Sequence, residues 1–323
     1  MVQSLTAIIL AAGEGTRMNS KLPKVLHPVA GQPMIDYALQ NAEALNPQKI
    51  YVVVGAHSEK VVKHIGKRAV PVVQKKRLGT GHAVLQVMPF LKSLQGHVVV
   101  LYGDACLTRP QTVQALRQFH TLQGGEAALL SARVQEPFGY GRIVRTEEGT
   151  VEKIVQEKDA SDAERLINEI NAGLYIFKAN LLVEALKKLK TNNAKKEYYL
   201  TDTIQYLINQ GGRVHVLTVP DASEVLGVND REQWTQAHRL LNLRRVAEHQ
   251  REGVTFLNPQ TVEIDPMVTI GKDSVIEGDV HLLGKTILGE GCRIQSGSRL
   301  HSALLGKGVT IKFSRIVESL CTR

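Results

Sequence analysis

From Ile264 onward one aliphatic residue recurs every six positions: Ile264, Ile270, Ile276, Leu282, Leu288, Ile294 and Leu300 follow without a miss. Four residues after each of the first six stand Val268, Ser274, Val280, Thr286, Cys292 and Ser298, all small or β-branched, with Gly271 and Gly289 at turn positions. A three-sided parallel β-helix needs this pattern. Each side is one short strand plus a turn, so one aliphatic residue in six points to the axis and stacks on its counterpart a full coil later. The period then drops by one residue and resumes as Leu305, Ile311 and Val317, which gives ten hexapeptide-like units, or about three coils.

The preceding residues have a different rhythm. Residues 1–229 alternate β-branched apolar runs with helical patterns, the signature of an α/β domain with a mostly parallel sheet. Strands are predicted at 6–10, 50–54, 98–102, 174–177 and 214–219, and helices at 34–43, 59–65, 80–88, 110–119, 181–189 and 202–208. Residues 230–253 read as a charged linking helix with Trp234, Ala237, Leu241 and Val246 as its apolar stripe, leaving 254–323 for the solenoid. In open α/β sheets ligands bind beyond the carboxyl ends of the strands, so the loops after Leu10 and Tyr102 are the places to search.

Composition narrows the function classes. The chain carries 40 Lys and Arg against 31 Asp and Glu, a net charge of +9, but its basic pairs are scattered and only 5% of residues are aromatic. Neither a nucleic-acid recognition pattern nor a stacking platform emerges. No apolar run reaches the length of a membrane span or a secretory core, so the expectation is a cytoplasmic protein without a membrane partner. Cys106, Cys292 and Cys321 are odd in number and far apart, which supplies neither a disulfide framework nor a Cys-x-x-Cys site.

Chemistry concentrates in Leu10-Ala-Ala-Gly13-Glu-Gly15-Thr16-Arg17-Met18, directly after a strand, followed by Pro23-Lys24. A glycine-rich turn lets backbone N–H groups converge on an anion, and Arg17 and Lys24 add positive charge where a triphosphate would lie. The run is not a Walker loop, for no Gly-Lys-Ser/Thr follows, and Met18 stands where a dinucleotide fingerprint needs its third glycine. With Thr16, Arg17 and the Pro-Lys pair, it resembles the signature of sugar-nucleotide pyrophosphorylases. Gln74 with Leu78-Gly-Thr-Gly-His-Ala83, Tyr102-Gly-Asp104, Gly139-Tyr-Gly-Arg142, Glu169-Ile-Asn-Ala-Gly173, Glu197-Tyr-Tyr-Leu-Thr-Asp202 and Gly227-Val-Asn229 follow in that family's order. Across its whole length the chain is similar to the bacterial bifunctional N-acetylglucosamine-1-phosphate uridyltransferase/glucosamine-1-phosphate N-acetyltransferases.

The resemblance implies a Rossmann-like nucleotidyltransferase domain followed by a short left-handed parallel β-helix. It implies transfer from UTP to N-acetylglucosamine 1-phosphate, with Mg²⁺ as cofactor and a homotrimer assembled through the β-helix. By position, Leu10, Ala12, Gly13, Gly15, Thr16, Gln74, Gly79 and Thr80 would hold the nucleotide, and Arg17 and Lys24 would grip phosphates and the departing pyrophosphate. Asp104 and Asn229 would coordinate the metal; Gly141, Gln156, Asn171, Tyr199 and Thr201 would line the sugar pocket.

Two positions depart from the family pattern. Gln156 stands where a glutamate is usual, which keeps an acceptor oxygen and loses a charge. Ala105-Cys106-Leu107 replaces the usual Val-Pro-Leu after the aspartate, and Cys106 reads as a small packed residue. His82 and His27 read as structural hydrogen-bonding residues, since a phosphate monoester nucleophile needs no base. The family's acetyltransferase residues lie in later coils, so acetyltransferase activity is expected to be absent. A different sugar-1-phosphate nucleotidyltransferase, using glucose 1-phosphate with UTP, dTTP or ATP, and a catalytically impaired sugar-nucleotide-binding scaffold both remain open at this point.

Overall fold

A computed structural model describes residues 4–91 and 95–321. They fold as two compact units: the boundary follows Asn229, and the short segment His27–Pro33 groups with the second unit.

In the first unit, strands β1 (Leu5–Ala11), β2 (Lys49–Gly55), β3 (Val70–Gln74), β4 (His97–Tyr102), β5 (Ala127–Arg133), β6 (Arg142–Arg145), β7 (Val151–Val155), β8 (Glu169–Lys178) and β9 (Val214–Thr218) build one sheet. Its order is β9-β5-β8-β4-β1-β2-β3, with the β6–β7 hairpin joined to β8. The pairs β1–β2, β1–β4, β2–β3 and β9–β5 are parallel; β8 alone runs antiparallel to β4 and β5 within that order. The sheet is therefore mostly parallel, with one reversed strand in its interior.

Both faces are covered, which is why β1 runs apolar from Ala7 to Ala11 and buries even Thr6. Leu5, Ala7, Ile9 and Ala11 face one core with Ile35 and Leu39 of helix Met34–Glu43 and Val113 and Leu116 of helix Pro110–Gln123. Ile8 and Leu10 face the other, with Val84 of helix Thr80–Leu85, Leu182 of helix Ala179–Leu186 and Ile204 of helix Thr201–Asn209. The helix expected at 80–88 stops at Leu85, and a separate turn covers Met88–Leu91. Pro89 supplies the reason: it has no N–H to donate to the Leu85 carbonyl four residues back and its ring crowds that carbonyl, while it is tolerated in the first turn of the new segment.

The second unit contains the 21-residue helix Arg231–Arg251, capped by Asp230 accepting from the Gln233 N–H. It buries Ala237, Leu241, Asn242 and Val246. Trp234, expected on the apolar stripe, is only partly buried, and its indole N–H donates to the Pro28 carbonyl at 2.9 Å. Asn242 fastens the helix to the first coil, donating to the Val262 carbonyl at 2.5 Å and accepting from the Ile264 N–H at 2.9 Å.

After the helix come three parallel sheets of four two- or three-residue strands. Ile264, Ile270, Ile276, Leu282, Leu288, Ile294, Leu300, Leu305 and Ile311 are all buried. Four strands on each face make four coils where three were expected, because Phe256, ahead of the strict period, already stacks on Ile276, and Leu320–Cys321, beyond its last unit, adds a strand against Leu304–Leu305. Val317 corrects the expected register at the other end. It is 47% exposed, while Ile316 pairs with Leu300 and turns inward, so the period shortens a second time after Ile311.

Candidate active site

The chain leaves β1 toward β2 and β3 on one side and returns to β4 on the other. The carboxyl ends of the adjacent strands β1 and β4 thus diverge at a topological switch point, the place where open α/β sheets form a crevice. The Gly103 N–H donates to the Leu10 carbonyl at 2.9 Å and locks the two strand ends together. A cavity of about 460 Å³ opens there, lined among others by Leu10, Ala12, Gly13, Gly15, Thr16, Arg17, Lys24, Gln74, Gly79, Thr80, Asp104 and Asn229. Every residue expected at the nucleotide, phosphates and metal is brought to one hollow.

The geometry of the loop follows from its glycines. Gly15 has φ +64°, and a Cβ there would lie 2.4 Å from Cβ of Lys24, so both backbone and space demand glycine. The close approach aims Lys24 inward. Its side chain is 9% exposed, and its ammonium bonds Asp104 Oδ2 at 2.5 Å and Asn229 Oδ1 at 2.8 Å. Lys24 was expected at the phosphates; here it bridges the two expected metal ligands. A carboxylate and an amide oxygen that converge on one cation are the hard donor set magnesium takes alongside water and phosphate. Among the described residues no group of three or more His, Cys, Asp and Glu could hold a metal; Asp104 and Asn229 bring two oxygens together.

On the opposite wall Gln74 Nε2 donates to the Gly79 carbonyl at 3.2 Å and lies 2.9 Å from His82 Nδ1. His82 also contacts Gln86 at 3.2 Å, and burial lowers its pKa. Its ring is engaged in holding Gln74. The Thr80 hydroxyl accepts from the Leu200 N–H at 3.0 Å, tying this wall to the segment that carries Tyr199 and Thr201.

The five residues expected at the sugar do not line this cavity, but hydrogen bonds connect several of them. The Asn171 N–H donates to the Gly141 carbonyl at 2.8 Å, and Gln156 Nε2 donates to Thr201 Oγ1 at 3.2 Å. Asn171 Nδ2 donates to the Tyr175 hydroxyl at 2.6 Å. Tyr175 in turn interacts with Tyr102, whose phenol is pushed up to about 12 by burial, partly offset by its bond with Thr80. A chain of side chains therefore runs from the nucleotide wall to Asn171. Beside Thr201, burial and then the Asp159 charge raise Asp202 to about 6, and burial with the Asp159, Glu197 and Asp202 charges takes Tyr199 to about 12.

The cavity also takes in Arg77, Tyr102, Lys195 and Glu197, which sequence reasoning does not assign to the site. Tyr102 and Glu197 lie inside recognisable motifs, so a signal exists; Arg77 and Lys195 sit in basic runs that read as solvated faces. Cys106 is buried at 1% exposure and His27 at 5%, His27 within the His27–Pro33 segment of the second unit.

A sequence profile for nucleotidyl transferases matches residues 6–228, and one for the six-repeat hexapeptide of bacterial transferases matches residues 267–302. The chain is 44% identical over 314 residues to the bifunctional protein GlmU of Enterococcus faecalis, an alignment covering 97% of this chain and 69% of that protein. It is 43% identical over 318 residues to GlmU of Acetivibrio thermocellus, covering 98% and 69%. With GlmU of Listeria monocytogenes it shares 42% over 313 residues, covering 97% and 68%. Strand order, glycine-rich loop and hexapeptide coils agree with these matches, and the chain belongs to the nucleotidyl transferase family, among the GlmU proteins that join such a domain to a left-handed hexapeptide β-helix.

Proposed function

We propose that this chain transfers a uridylyl group from UTP to N-acetylglucosamine 1-phosphate, giving UDP-N-acetylglucosamine and pyrophosphate, with the roles divided as follows. Leu10, Ala12, Gly13, Gly15 and Thr16 on one wall and Gln74, Gly79 and Thr80 on the other receive the nucleotide. Gly141, Gln156, Asn171, Tyr199 and Thr201 receive the sugar. The observation that carries this reading is the convergence of Asp104 and Asn229 on the Lys24 ammonium inside the cavity behind the glycine-rich loop.

No general base is required. A phosphate monoester has a second pKa of about 6, so the sugar phosphate arrives largely as a dianion whose oxygen attacks the α-phosphorus directly. The bond from that phosphorus to the bridging oxygen breaks, and pyrophosphate departs. What the residues supply is alignment and charge: Arg17 and Lys24 offset the negative charge of the triphosphate and leaving group. Asp104 and Asn229 would hold a magnesium ion, which when bound draws the phosphates together and neutralises part of their charge.

Among the described residues no helix is long and apolar enough to cross a membrane, and we place the reaction in the cytoplasm, with its nucleotide donor. The hexapeptide coils support a homotrimer. Pyrophosphate release measured across four nucleoside triphosphates and several sugar 1-phosphates, with and without Mg²⁺, tests the reading. UTP with N-acetylglucosamine 1-phosphate gives the fastest, metal-dependent release. Preference for glucose 1-phosphate moves the assignment within the family, and no metal-dependent release with any pair removes it.

A further inference from the structure

Arg77 lines the cavity and, like Lys195 and Glu197, has no part in the roles above; unlike them it is paired with Glu14 of the glycine-rich loop. Glu14 stands between Gly13 and Gly15, and its carboxylate forms an ion pair with the guanidinium of Arg77. Arg77 comes from the opposite wall, between β3 and the Thr80–Leu85 helix, and its Nε–H donates to the Ala12 carbonyl at 3.0 Å. The guanidinium passes over Gly55 at the end of β2, where a Cβ would lie 3.2 Å from Nη2 and 3.5 Å from the Ala12 oxygen. A side chain at position 55 would crowd that path. Arg77 is thus bound twice to the glycine-rich loop, once through its backbone and once through Glu14. Glu14 and Arg77 side chains are 55% and 45% exposed, so the pair can form or open without disturbing either core.

The charges explain why such a tie belongs here. A loop that must receive a triphosphate carries a carboxylate at its centre. Left unpaired, that carboxylate would repel phosphates entering between its neighbours Gly13 and Gly15, and in a partly screened site such repulsion weakens binding by about tenfold. Arg77 cancels the charge and fixes the loop against the wall that carries Gln74, Gly79 and Thr80 before the nucleotide arrives, so less ordering remains to be done on binding.

Resting on the reading that the cavity takes UTP, we infer that Glu14 and Arg77 form a clasp across the nucleotide site, in which Arg77 is a positioning residue acting through Glu14. The pair sets nucleotide affinity rather than the chemical step.

Steady-state kinetics on the wild type, Glu14→Gln, Arg77→Gln and the double variant test this. Arg77→Gln raises KM for UTP about tenfold, the factor expected from an unpaired carboxylate beside the phosphates. Its kcat stays within about twofold, and KM for the sugar phosphate is unchanged, because no transition-state contact is lost. The double variant recovers most of the KM, to within about threefold of wild type, since the charge that Arg77 neutralised is gone. An Arg77→Gln enzyme with wild-type KM overturns the clasp. So does a double variant as impaired as Arg77→Gln, which would put the guanidinium on the phosphates themselves. In both cases the uridylyltransferase reading stands; a wild-type chain that turns over no UTP removes that reading and the clasp together.

Discussion

Lys24 occupies the centre of the site because two independent constraints meet on it: the bare Gly15 lets its chain pass, and Asp104 and Asn229 hold its tip. Asp104 therefore has a partner whether or not a metal is bound, and its side chain is 25% exposed. Asp104→Asn keeps the shape and removes the charge, so the fold survives and the thermal midpoint moves by only a few degrees. Turnover falls by about 10²–10³, the range seen when one preorganised electrostatic group is removed from an active site. Near-normal kcat/KM in this variant would dismiss Asp104 as a ligand. Gln156 makes a milder case. Its amide donates to the Thr201 hydroxyl at 3.2 Å, a neutral bond where the family pattern has a charged acceptor. Bonds to charged groups are worth about 1.5–3 kcal/mol against about 1 for neutral ones, so Gln156→Glu lowers KM for the sugar phosphate several-fold and leaves KM for UTP alone. A rise in the sugar KM instead would mean that the added carboxylate repels the sugar's phosphate. These residues were legible as candidates because short motifs with fixed spacing carry them; the cavity gathers Lys24, Asp104 and Asn229 but not Gln156. Arg77 was not, because the direction of a basic side chain in a surface run is decided by the path of the loop and by an absent side chain at Gly55.

At the level of elements, strong helical periodicity was legible, whereas four strands of the sheet, Val70–Gln74, Ala127–Arg133, Arg142–Arg145 and Val151–Val155, were not. Met34–Glu43 and Glu59–Ile65 fall where the apolar spacing places them. Strand β5, Ala127–Arg133, escaped because its Ala-Ala-Leu-Leu-Ser-Ala run favours helix intrinsically; burial on both faces of the sheet overrides that preference. The second shortening in the β-helix escaped because Ile316 and Val317 are both β-branched and either could point inward; only the stacking of Ile316 on Leu300 decides. One element junction carries a testable cost. His120, on helix Pro110–Gln123, is 3% exposed, and its ring meets that of His97 on β4 edge-on at 4.8 Å. Burial pushes its pKa down to about 4, His97, Lys178 and His215 push the same way, and Glu126 opposes them. His97 is lowered too, by burial and by Lys178 and Arg117. The unfolded chain thus takes up a proton near pH 6.5 that folded His120 refuses until about pH 4. This part of the stability is complete above pH 6.5 and drains away as the pH falls toward 4, about 3 kcal/mol in all for His120. Thermal melts from pH 7 to 4.5 read it as a falling midpoint whose slope shrinks in His120→Gln; equal slopes in the two proteins would place the acid sensitivity elsewhere.

For the molecule as a whole, each unit closes its own core, and the β-helix leaves three outer faces. The three faces of the β-helix are unlike. One presents Thr255, Val275, Arg293 and Thr310 outward, and a second Glu263, His281, Arg299 and Arg315. The third stacks Thr269, Ile287, Leu304 and Leu320, the last three being 45%, 45% and 67% exposed. Their inward neighbours Leu288 and Leu305 already fill the axis, so this outer ladder contributes nothing to the coil's own core. A contiguous aliphatic ladder is the kind of surface that subunit contacts cover, and the proposed homotrimer gives it an occupant in further copies of the same chain. Glutamate at two adjacent rungs puts like charges into that contact while every inward residue is kept. Ile287→Glu with Leu304→Glu therefore converts a trimer to monomers in sedimentation velocity, with the hexapeptide coils still folded by circular dichroism. Wild-type chain that sediments as a monomer at micromolar concentration, or a double variant that stays trimeric, would mean that this face is not where the copies meet.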